Sequence, residues 1–549
     1  MDVLNTSTTQ DYEVPILIVG GSLVGMTMAM LLGHHGIKSL VVEKHPGTAI
    51  HPRAALFLQR SMEILRSAGI EDSVRTKSFE QFEPDGAIMA VETLAGKEIA
   101  WYMTHVNDGI RDLSPSERIF VTQIALEPVL RARAQELGAD VRFGTELVSF
   151  EDDADGVHAL IRDRASGTTS TVHAKYMIGA DGGASHVRDQ LGIPMVGHGV
   201  MSNSVTIYFR ADVEPLLNGR NLSVIMVVNP VFQGFFRIEM PYKSGFLIVH
   251  GLGDPQHPET NVSEGLTNEQ CIELVRAGLG VPDIPVQIDD VMRWDATADV
   301  AEHFRKGNVF LAGDAAHLMP PYGGYGGNTG IHDAHNLAWK LAMVLRGEAG
   351  AELLDTYEVE RKPVAKFTVE QSFSRYVGRA APFLASADMD QVVGDNNIDL
   401  GYRYHSAAVV AEGDDSAVQL DPREALGLPG VRAPHVSIER DGEKLSIIDL
   451  FGHAPVLLTG SAAAGWAESA REAANALGVK LEIHSIGAGA GILNPDGDFE
   501  AAYGITPGGA VLVRPDGVVS WRAKTVDGDP SQPIRAALAT TLCLEPVSA

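Results

Sequence analysis

The feature that most restricts the fold is a strand–turn–helix–strand unit near the start of the chain. Residues 15–19 and 38–42 are short apolar runs, residues 20–25 are rich in glycine, and residues 26–34 have a helical pattern that ends before Gly36. Apolar runs of this length that alternate with helices are typical of a parallel sheet covered by helices. We therefore predict an α/β fold, α+β overall, that begins with a Rossmann-like unit.

The turn Gly20-Gly-Ser-Leu-Val-Gly25 matches the dinucleotide-binding pattern G-x-G-x-x-G except at the middle glycine, where Ser22 stands. In this pattern the glycines allow a tight turn and a close approach of the backbone to a pyrophosphate. Glu43 follows the second strand, twenty-three residues after Gly20, where a carboxylate accepts hydrogen bonds from ribose hydroxyls. The unit predicts bound FAD or NAD, and a βαβ unit without a ligand is the alternative.

Residues 16–33 are eighteen consecutive residues without a charge, long enough to make a membrane span an alternative. Because glycines interrupt the segment where a strand would turn into a helix, we predict strand, turn and helix instead. The first residues are polar and acidic, unlike a secretory signal. The net charge of −28 argues against binding to nucleic acid or anionic lipid. We expect a cytoplasmic protein without a nucleic-acid or membrane partner.

Two further apolar runs end in an aspartate and share the same local pattern. One ends in Asp181-Gly182 and the other in Gly313-Asp314. Ligands of open α/β sheets lie at the carboxyl ends of the strands. We therefore predict that both aspartates face one cofactor.

The loop that follows Asp314 contains Pro320, Pro321 and four glycines between residues 323 and 327. Asn328 and Thr329 offer capping side chains, so we predict that a helix begins there. A helix N-terminus carries free N–H groups and the positive end of the dipole, which favours an electron-rich or anionic ligand. Glycines without a Cβ let the backbone lie against that ligand.

Two polar residues elsewhere are candidates for the same ligand. Arg53 precedes a predicted helix and is expected to meet phosphates, with a surface ion pair as the alternative. Gln123 stands at the start of another predicted helix, where it either donates to a cofactor or caps the helix. The chain has two cysteines, Cys271 and Cys543, too few for a disulfide framework or a multi-cysteine metal site, and we predict no metal.

Residues 191–285 change to longer alternating strands, which predict an antiparallel sheet that binds the substrate. One face is expected to carry Tyr208, Met226, Phe235, Arg237 and His250. For the aromatic and methionine side chains, ordinary core packing is the alternative. The candidates for substrate contact are Met226, Phe235 and Pro320.

The length of 549 residues requires several domains. We predict a nucleotide-binding domain from 1–190 and 286–380, in which 77–109 packs with the substrate domain at 191–285. A linker at 381–420 and a separate α/β domain at 421–549 follow. In the last domain the predicted strands are 446–449, 456–459, 481–485 and 510–513, and the predicted helix is 462–477.

These pieces resemble the FAD-dependent aromatic hydroxylases, the class A flavoprotein monooxygenases typified by para-hydroxybenzoate hydroxylase. The resemblance lies in residues 20–25 with Glu43, in 179–182 with Ser185 and Arg188, and in 313–317 through 328–330, which come in the family's order. The C-terminal part resembles the thioredoxin-like domain of the phenol and dichlorophenol hydroxylase branch through Tyr402, Tyr404, 432–435 and 512–518. It lacks Cys-x-x-Cys, which favours packing or dimerisation over a disulfide role.

The resemblance implies which parts of FAD each motif meets. The first motif would hold the ADP half, Asp181-Gly182 would lie near the pyrophosphate and NADPH, and Asp314 would meet the ribityl–phosphate part beside the ring-facing loop 326–328. The implied cofactor-binding residues are Gly20, Ser22, Leu23, Val24, Gly25, Glu43, Lys44, Arg53, Gln123, Asp181, Gly182, Gly313, Asp314, Pro321, Gly324, Gly326, Gly327, Asn328 and Thr329.

The resemblance also implies the reaction. NADPH or NADH would reduce FAD, O2 would add at flavin C4a, and the hydroperoxide would hydroxylate a phenolic or polyketide-type aromatic ring. The candidates for catalytic side chains are Tyr208, Arg237 and His250, and His317 is a further candidate base; for each histidine, a purely structural role is the alternative. Baeyer–Villiger or epoxidising chemistry, and a flavin-binding redox sensor without turnover, stay open as alternatives. A homodimer is also expected.

Overall fold

The computed structural model describes residues 11–50, 55–251, 265–413, 416–463, 465–487, 489 and 491–545. In these residues the strands are β1 (Asp11–Val19), β2 (Ser39–Glu43), β3 (Leu56–Phe57), β4 (Ala87–Val91), β5 (Glu98–Met103), β6 (Ile119–Phe120), β7 (Asp140–Phe143), β8 (Thr145–Asp152), β9 (Val157–Asp163), β10 (Thr169–Gly179), β11 (Met195–Arg210), β12 (Leu222–Val228), β13 (Gln233–Glu239), β14 (Ser244–Gly251), β15 (Gln287–Ala301), β16 (Arg305–Lys306), β17 (Val309–Leu311), β18 (His317–Leu318), β19 (Ser437–Arg440), β20 (Glu443–Ser446), β21 (Val456–Thr459), β22 (Glu482–Ser485), β23 (Ala510–Val513) and β24 (Val519–Ala523). The α-helices of the same residues are α1 (Leu23–His34), α2 (Gln59–Ser67), α3 (Glu71–Gln81), α4 (Gln123–Glu136), α5 (His186–Leu191), α6 (Glu214–Leu217), α7 (Asn268–Leu279), α8 (Tyr325–Leu345), α9 (Thr356–Ala380), α10 (Asp395–Asp399), α11 (Trp466–Leu477), α12 (Phe499–Tyr503) and α13 (Ser531–Thr541).

The first sheet contains the predicted strand–turn–helix–strand unit. Its parallel strands lie in the order β17, β10, β1, β2, β7, and β9 and β8 form an antiparallel hairpin along β10. The central residues Ile16, Leu17 and Ile18 are fully buried, as expected for a parallel sheet. The α/β prediction is confirmed.

The uncharged segment 16–33 forms the end of β1, a turn and most of α1. Among the helices of the described residues, none combines the length and the apolar character that a bilayer crossing requires. The glycines of this segment therefore mark a strand-to-helix turn, as predicted.

The second sheet has the order β18, β15, β11, β14, β13, β12, β4, β5, and it is antiparallel except for the β12–β4 pair. One face packs on α7, where Cys271 is buried among residues such as Ile207 and Phe236. Strands β4 and β5 come from the segment 77–109. The predicted boundary at 285 is wrong, because β15 lies beyond it and pairs along the length of β11.

The C-terminal part forms a four-stranded sheet in the order β22, β21, β23, β24, with β22 parallel to β21 and the other pairs antiparallel. Helices α11 and α13 pack against it in a cluster that also contains Trp339 of α8. The strand predicted at 446–449 is wrong. Ile447–Leu450 form a 3₁₀ turn there, because Ser446 Oγ accepts a hydrogen bond from the Ile448 N–H at 3.1 Å and caps the turn.

The segment 381–420, predicted to be a linker, contains α10 and packs on the rest of the chain. Asp395 accepts hydrogen bonds from the Tyr325 hydroxyl at 2.6 Å and from Arg375 Nη2 at 3.0 Å. Ile398, Asp399 and nearby tyrosines are buried. This packing places α10 directly behind the start of α8.

Candidate active site

Four parallel strands end side by side at one edge of the first sheet. Val19 is in register with Gly179 and with Val42, and Gly179 is in register with Leu311. The next residues continue the pairing, since Ala180 N donates to Val19 O at 2.8 Å and Ala312 N donates to Gly179 O at 3.0 Å. The turns that carry Asp181 and Asp314 therefore lie at the same edge as the glycine-rich turn.

The glycine-rich turn permits very close backbone contacts. Gly20 has a φ of +108°, and a Cβ on it would lie 2.2 Å from Ala180 O. A Cβ on Gly25 would lie 1.9 Å from Gly20 O, so α1 can approach the strand only with glycine at this position. Glu43 Oε2 accepts a hydrogen bond from Gly21 N at 2.8 Å, and Oε1 accepts one from His45 N at 2.7 Å. Glu43 thus holds the turn, and each carboxylate oxygen keeps a further lone pair for a ligand.

Ser22 is joined to α4 through a buried carboxylate. Its hydroxyl donates to Glu127 Oε1 at 2.5 Å and accepts from Gln123 Nε2 at 2.8 Å. Glu127 Oε2 accepts from Ala49 N at 2.7 Å. Gln123 is the first residue of α4, and Thr122 is its N-cap. Sequence reasoning missed Glu127, although its spacing of four from Gln123 places both on one helix face.

The second turn is held by its own aspartate. Asp181 Oδ1 accepts from Ser185 Oγ at 2.5 Å, and Oδ2 accepts from Val187 N at 3.1 Å, which fixes the start of α5. Arg188 donates through Nη2 to Gly183 O at 2.9 Å and through Nη1 to Ala315 O at 3.2 Å. Arg188 thereby links the second turn to the third.

The third turn is fixed by Asp333, a residue of α8 that the sequence analysis did not single out. Gly313, with a φ of +63°, donates its N–H to Asp333 Oδ2 at 3.0 Å. The same oxygen lies 2.7 Å from His317 Nε2, and Oδ1 accepts from Arg361 Nε at 2.7 Å. Burial raises the pKa of Asp333, but Arg361 and His317 outweigh it and hold the pKa below its ordinary value. His317 is thus engaged by a buried carboxylate.

Helix α8 begins earlier than predicted, so the capping role assigned to Asn328 and Thr329 is wrong. Its N-cap is Gly324, with a left-handed φ of +70°. Asn328 instead accepts from Leu58 N at 2.9 Å and donates to Leu56 O at 3.0 Å, and Thr329 donates to Tyr325 O at 2.9 Å. Gly324 takes the capping position, and the side chains of Asn328 and Thr329 form hydrogen bonds with other parts of the protein instead.

Two helix N-termini are brought together by small residues. A Cβ on Gly330 would lie 2.5 Å from Val24 Cγ2, and a Cβ on Gly313 would lie 2.7 Å from the same methyl. Neither α1 nor α8 has an acidic residue in its first turn. In the described structure the side chain of Ser22, the N-cap of α1, accepts no capping bond, and the N-cap of α8 is a glycine. The first turns therefore leave N–H groups and positive dipole ends for an anionic or electron-rich ligand. This arrangement fits an extended dinucleotide such as FAD.

The remaining predicted cofactor residues lie around these turns. Gly326 and Gly327 are in the first turn of α8, and Pro321 precedes its N-cap. Lys44 is exposed, and its backbone oxygen accepts from Arg164 Nη1 at 2.9 Å. Arg53 lies outside the described residues. Their contacts with a cofactor stay a prediction.

The second sheet presents the predicted aromatic face towards the first. Tyr208 is in register with Phe246, and Met226 is in register with Phe235. The ring of Phe235 lies 6.4 Å from that of Phe246 and 5.7 Å from that of His250. Met226 packs against the core cluster of the first sheet. The sheet register therefore brings these side chains to one face, as the alternation predicts.

Arg237, which shares that face, is committed elsewhere. It is 4% exposed, its Nη1 donates to Ala55 O at 3.1 Å, and its guanidinium lies 4.7 Å from the Phe120 ring and 5.4 Å from the Phe82 ring. Burial lowers its pKa to about 10. The side chain holds the backbone beside β3, which disfavours its use as a clamp for a substrate carboxylate.

The proline turn of the first domain meets the aromatic face at His250. The His250 ring lies 5.4 Å from the Tyr322 ring. Ser372 of α9 fixes this turn by donating to Pro320 O at 2.6 Å and to Tyr322 O at 3.1 Å. The site therefore lies between the second sheet and the loop at residues 320–324, which contains the prolines and glycines before α8.

Comparison with known proteins identifies this kind of site. A family model described as an FAD binding domain matches residues 13–372, and one described as the C-terminal domain of aromatic-ring hydroxylases matches residues 426–543. A 4-methyl-5-nitrocatechol 5-monooxygenase of a Burkholderia species is 51% identical over 541 residues, which are 98% of this chain and 99% of that protein. The aklavinone 12-hydroxylase RdmE of Streptomyces purpurascens is 37% identical, with 97% and 99% covered.

A comparison with solved structures leads to the same family. The structure of an aklavinone-11 hydroxylase with FAD and aklavinone superposes with a TM-score of 0.91 at 37% identity, and it covers 97% of this chain and 100% of that one. The chain belongs to the FAD-dependent aromatic-ring hydroxylases. It is an FAD-dependent monooxygenase of aromatic rings that uses NAD(P)H as co-substrate.

Replacing Asp314 with alanine is expected to weaken FAD binding about tenfold or more, which is the effect of losing a hydrogen bond to a charged group. Asp314 is exposed at the third turn, directly after Gly313. The measurement is the dissociation constant of FAD for the apoprotein, followed by flavin fluorescence. Asp189→Ala, which removes an exposed carboxylate beside the second turn, is the control. Unchanged flavin content in purified Asp314→Ala would count against this assignment.

Proposed function

We propose that the ring oxidised by this enzyme is a single phenol or catechol with small substituents. The observation that carries the proposal is the cage around His250, whose imidazole has the rings of Phe235, Trp294 and Tyr322 at 5.4–5.8 Å. Rings at this spacing pack against the imidazole, and binding sites for planar ligands are lined mainly by aromatic and apolar side chains of this kind. The full-length identity of 51% to a nitrocatechol monooxygenase, compared with 37% to RdmE, supports the same class.

Each part of the chain has a role in this reaction. The first turn and α1 would hold the pyrophosphate, Glu43 the ribose, and the third turn with the start of α8 the flavin side of FAD. When bound, the cofactor supplies the activation of O2 with electrons from NAD(P)H. The aromatic face would orient the ring and exclude water, which protects the reactive form of the cofactor from unproductive decay.

A polyketide-type ring system is the second candidate, because the superposed aklavinone-11 hydroxylase structure contains aklavinone. The test compares 4-methyl-5-nitrocatechol, phenol and aklavinone as stimulators of NAD(P)H oxidation by the FAD-loaded enzyme, with the mass of each product. We expect the catechol to stimulate most strongly and to yield an oxygenated product. Stimulation by aklavinone alone would overturn the single-ring proposal and leave the enzyme class intact.

Two expectations complete the proposal. Packing or dimerisation is the role proposed for the C-terminal domain, and a homodimer in the cytoplasm is the proposed state of the enzyme. The sedimentation velocity of the FAD-loaded protein tests the dimer.

A further inference from the structure

His250 lies where three separate parts of the molecule meet. It belongs to β14, and its ring contacts Phe235 of β13, Trp294 of β15 and Tyr322 of the proline turn. Trp294 is held in place because its Nε1 donates to Thr206 Oγ1 at 2.9 Å. The imidazole is thus fixed between the second sheet and the proline turn that contains Tyr322.

One nitrogen of this imidazole has no hydrogen-bond partner in the part of the chain that the structure describes. The side chain is 4% exposed, and Nδ1 lies 3.3 Å from Ser204 Oγ. Among the described residues, nothing forms a hydrogen bond with Nε2. A buried polar atom without a hydrogen bond is unfavourable, and where such an atom lies beside a ligand site, a group of the ligand is a natural partner for it.

The chemistry of the cage selects the kind of partner. Burial lowers the pKa of His250 to about 4, so the ring is neutral near pH 7 and offers no charge to a carboxylate. Arg237 on the same face donates through Nη1 to Ala55 O, while its Nε, like His250 Nε2, is buried without a hydrogen-bond partner among the described residues. Ser204 can accept from Nδ1 or donate to it and so permits either tautomer, and a neutral group that both donates and accepts matches Nε2 in either one. A ring hydroxyl satisfies Nε2 in both cases.

We propose that His250 Nε2 forms a hydrogen bond with a hydroxyl group of the aromatic substrate and selects hydroxylated rings. The inference rests on the proposed function, since it assumes that the ring lies on the aromatic face. It adds the residue and the functional group by which the ring is recognised.

The test combines a side-chain change with the removal of a ligand hydroxyl. 4-Nitrocatechol, 3-nitrophenol and 4-nitrophenol are titrated calorimetrically into the FAD-loaded enzyme without NAD(P)H. In the wild type, we expect at least one nitrophenol to bind about tenfold more weakly than the catechol, as for a lost hydrogen bond. In His250→Phe, which keeps a ring in the cage, the catechol is expected to bind about tenfold more weakly, and this difference from the nitrophenol is expected to disappear.

Further variants separate recognition from packing. His250→Gln places an amide near the position of Nε2, and it is expected to restore much of the preference for the catechol. His158→Phe is the control, because His158 also contacts a ring, that of His173, but lies on β9 of the first sheet. FAD content and the thermal midpoint of unfolding show whether each variant is folded. If His250→Phe loses FAD, His250→Gln is compared with His250→Asn instead. Only the glutamine variant is expected to keep the preference for the catechol.

Three outcomes would overturn the inference. One is unchanged catechol affinity in His250→Phe, the second is an equal loss of affinity for all three ligands, and the third is the same catechol preference in the glutamine and asparagine variants. If the wild type binds aklavinone but none of the nitroaromatic compounds, the proposed single-ring substrate fails instead. The two failures are therefore distinguishable.

Discussion

Glu360→Gln is expected to lower the free energy of unfolding by about 3–5 kcal/mol, the usual cost of removing one partner from a buried ion pair. Glu360 of α9 lies between the first domain and the C-terminal domain. It accepts from Arg514 Nη1 at 2.6 Å and Nη2 at 2.9 Å, and from Lys340 Nζ at 2.7 Å. All three side chains are 0% exposed. The amide would remove the carboxylate that Lys340 pairs with and would leave Arg514 with Asp516 as its charged partner.

The pKa of Lys340 indicates how the buried cluster would respond to the loss of the Glu360 charge. Burial lowers the pKa of Lys340 to about 8 even with Glu360 beside it. Without the carboxylate, that pKa falls further, and Lys340 is expected to lose its proton near neutral pH. Arg514 stays charged and keeps Asp516, so the loss of its two hydrogen bonds to the Glu360 carboxylate dominates the change in stability.

The measurement is urea unfolding of the FAD-loaded enzyme, followed by tryptophan fluorescence. Glu370→Gln is the control on the same helix, because Glu370 pairs with His198 at 2.9 Å and is 28% exposed. Partly exposed pairs contribute about 0–1 kcal/mol. Equal unfolding midpoints for both variants would contradict the view that Glu360 joins the domains.

Asp333→Asn is expected to weaken FAD binding by roughly ten- to a hundredfold, the range that corresponds to losing hydrogen bonds to a charged group. Asp333 is the single carboxylate that holds Gly313 N, His317 and Arg361 together. An amide cannot accept from all three. The third turn would then lose its fixed position beside α1.

A buried carboxylate away from the turns provides the control for this change. Asp516 of the C-terminal domain pairs with Arg514, with its Oδ2 at 2.5 Å, and is almost fully buried. Asp516→Asn should lower stability in the same way but leave the dissociation constant of FAD close to that of the wild type. The role assigned to Asp333 fails if both variants change FAD affinity equally.

The predictable part of the site lies where the signal is local in sequence. Gly20, Gly25 and Glu43 belong to one βαβ unit, so spacing alone indicates their arrangement. Asp181 and Asp314 were also predictable, because each lies two or three residues after the end of an apolar strand. The alternation along β11 and β14 similarly predicts that Tyr208 and His250 share one face.

The site residues that the sequence did not indicate form hydrogen bonds with partners far away in the sequence. Asp333 and Glu127 are single acids inside helices, and nothing in the local pattern shows that they reach Gly313 or Ser22. Asn328 has a typical capping side chain, but its partner is Leu58 N, 270 residues away. Sequence patterns describe what a side chain can do locally, and tertiary packing decides which partner it meets.

The central claim is that the FAD site and the aromatic face together insert oxygen into a phenolic ring. The most direct test is turnover of 4-methyl-5-nitrocatechol by the FAD-loaded enzyme under 18O2, with NAD(P)H consumption and product mass measured together. The account predicts one labelled oxygen atom on the ring for each NAD(P)H consumed, in a product whose carbon ring is intact. A ring-expanded ester would indicate Baeyer–Villiger chemistry, and hydrogen peroxide without labelled product would contradict the account.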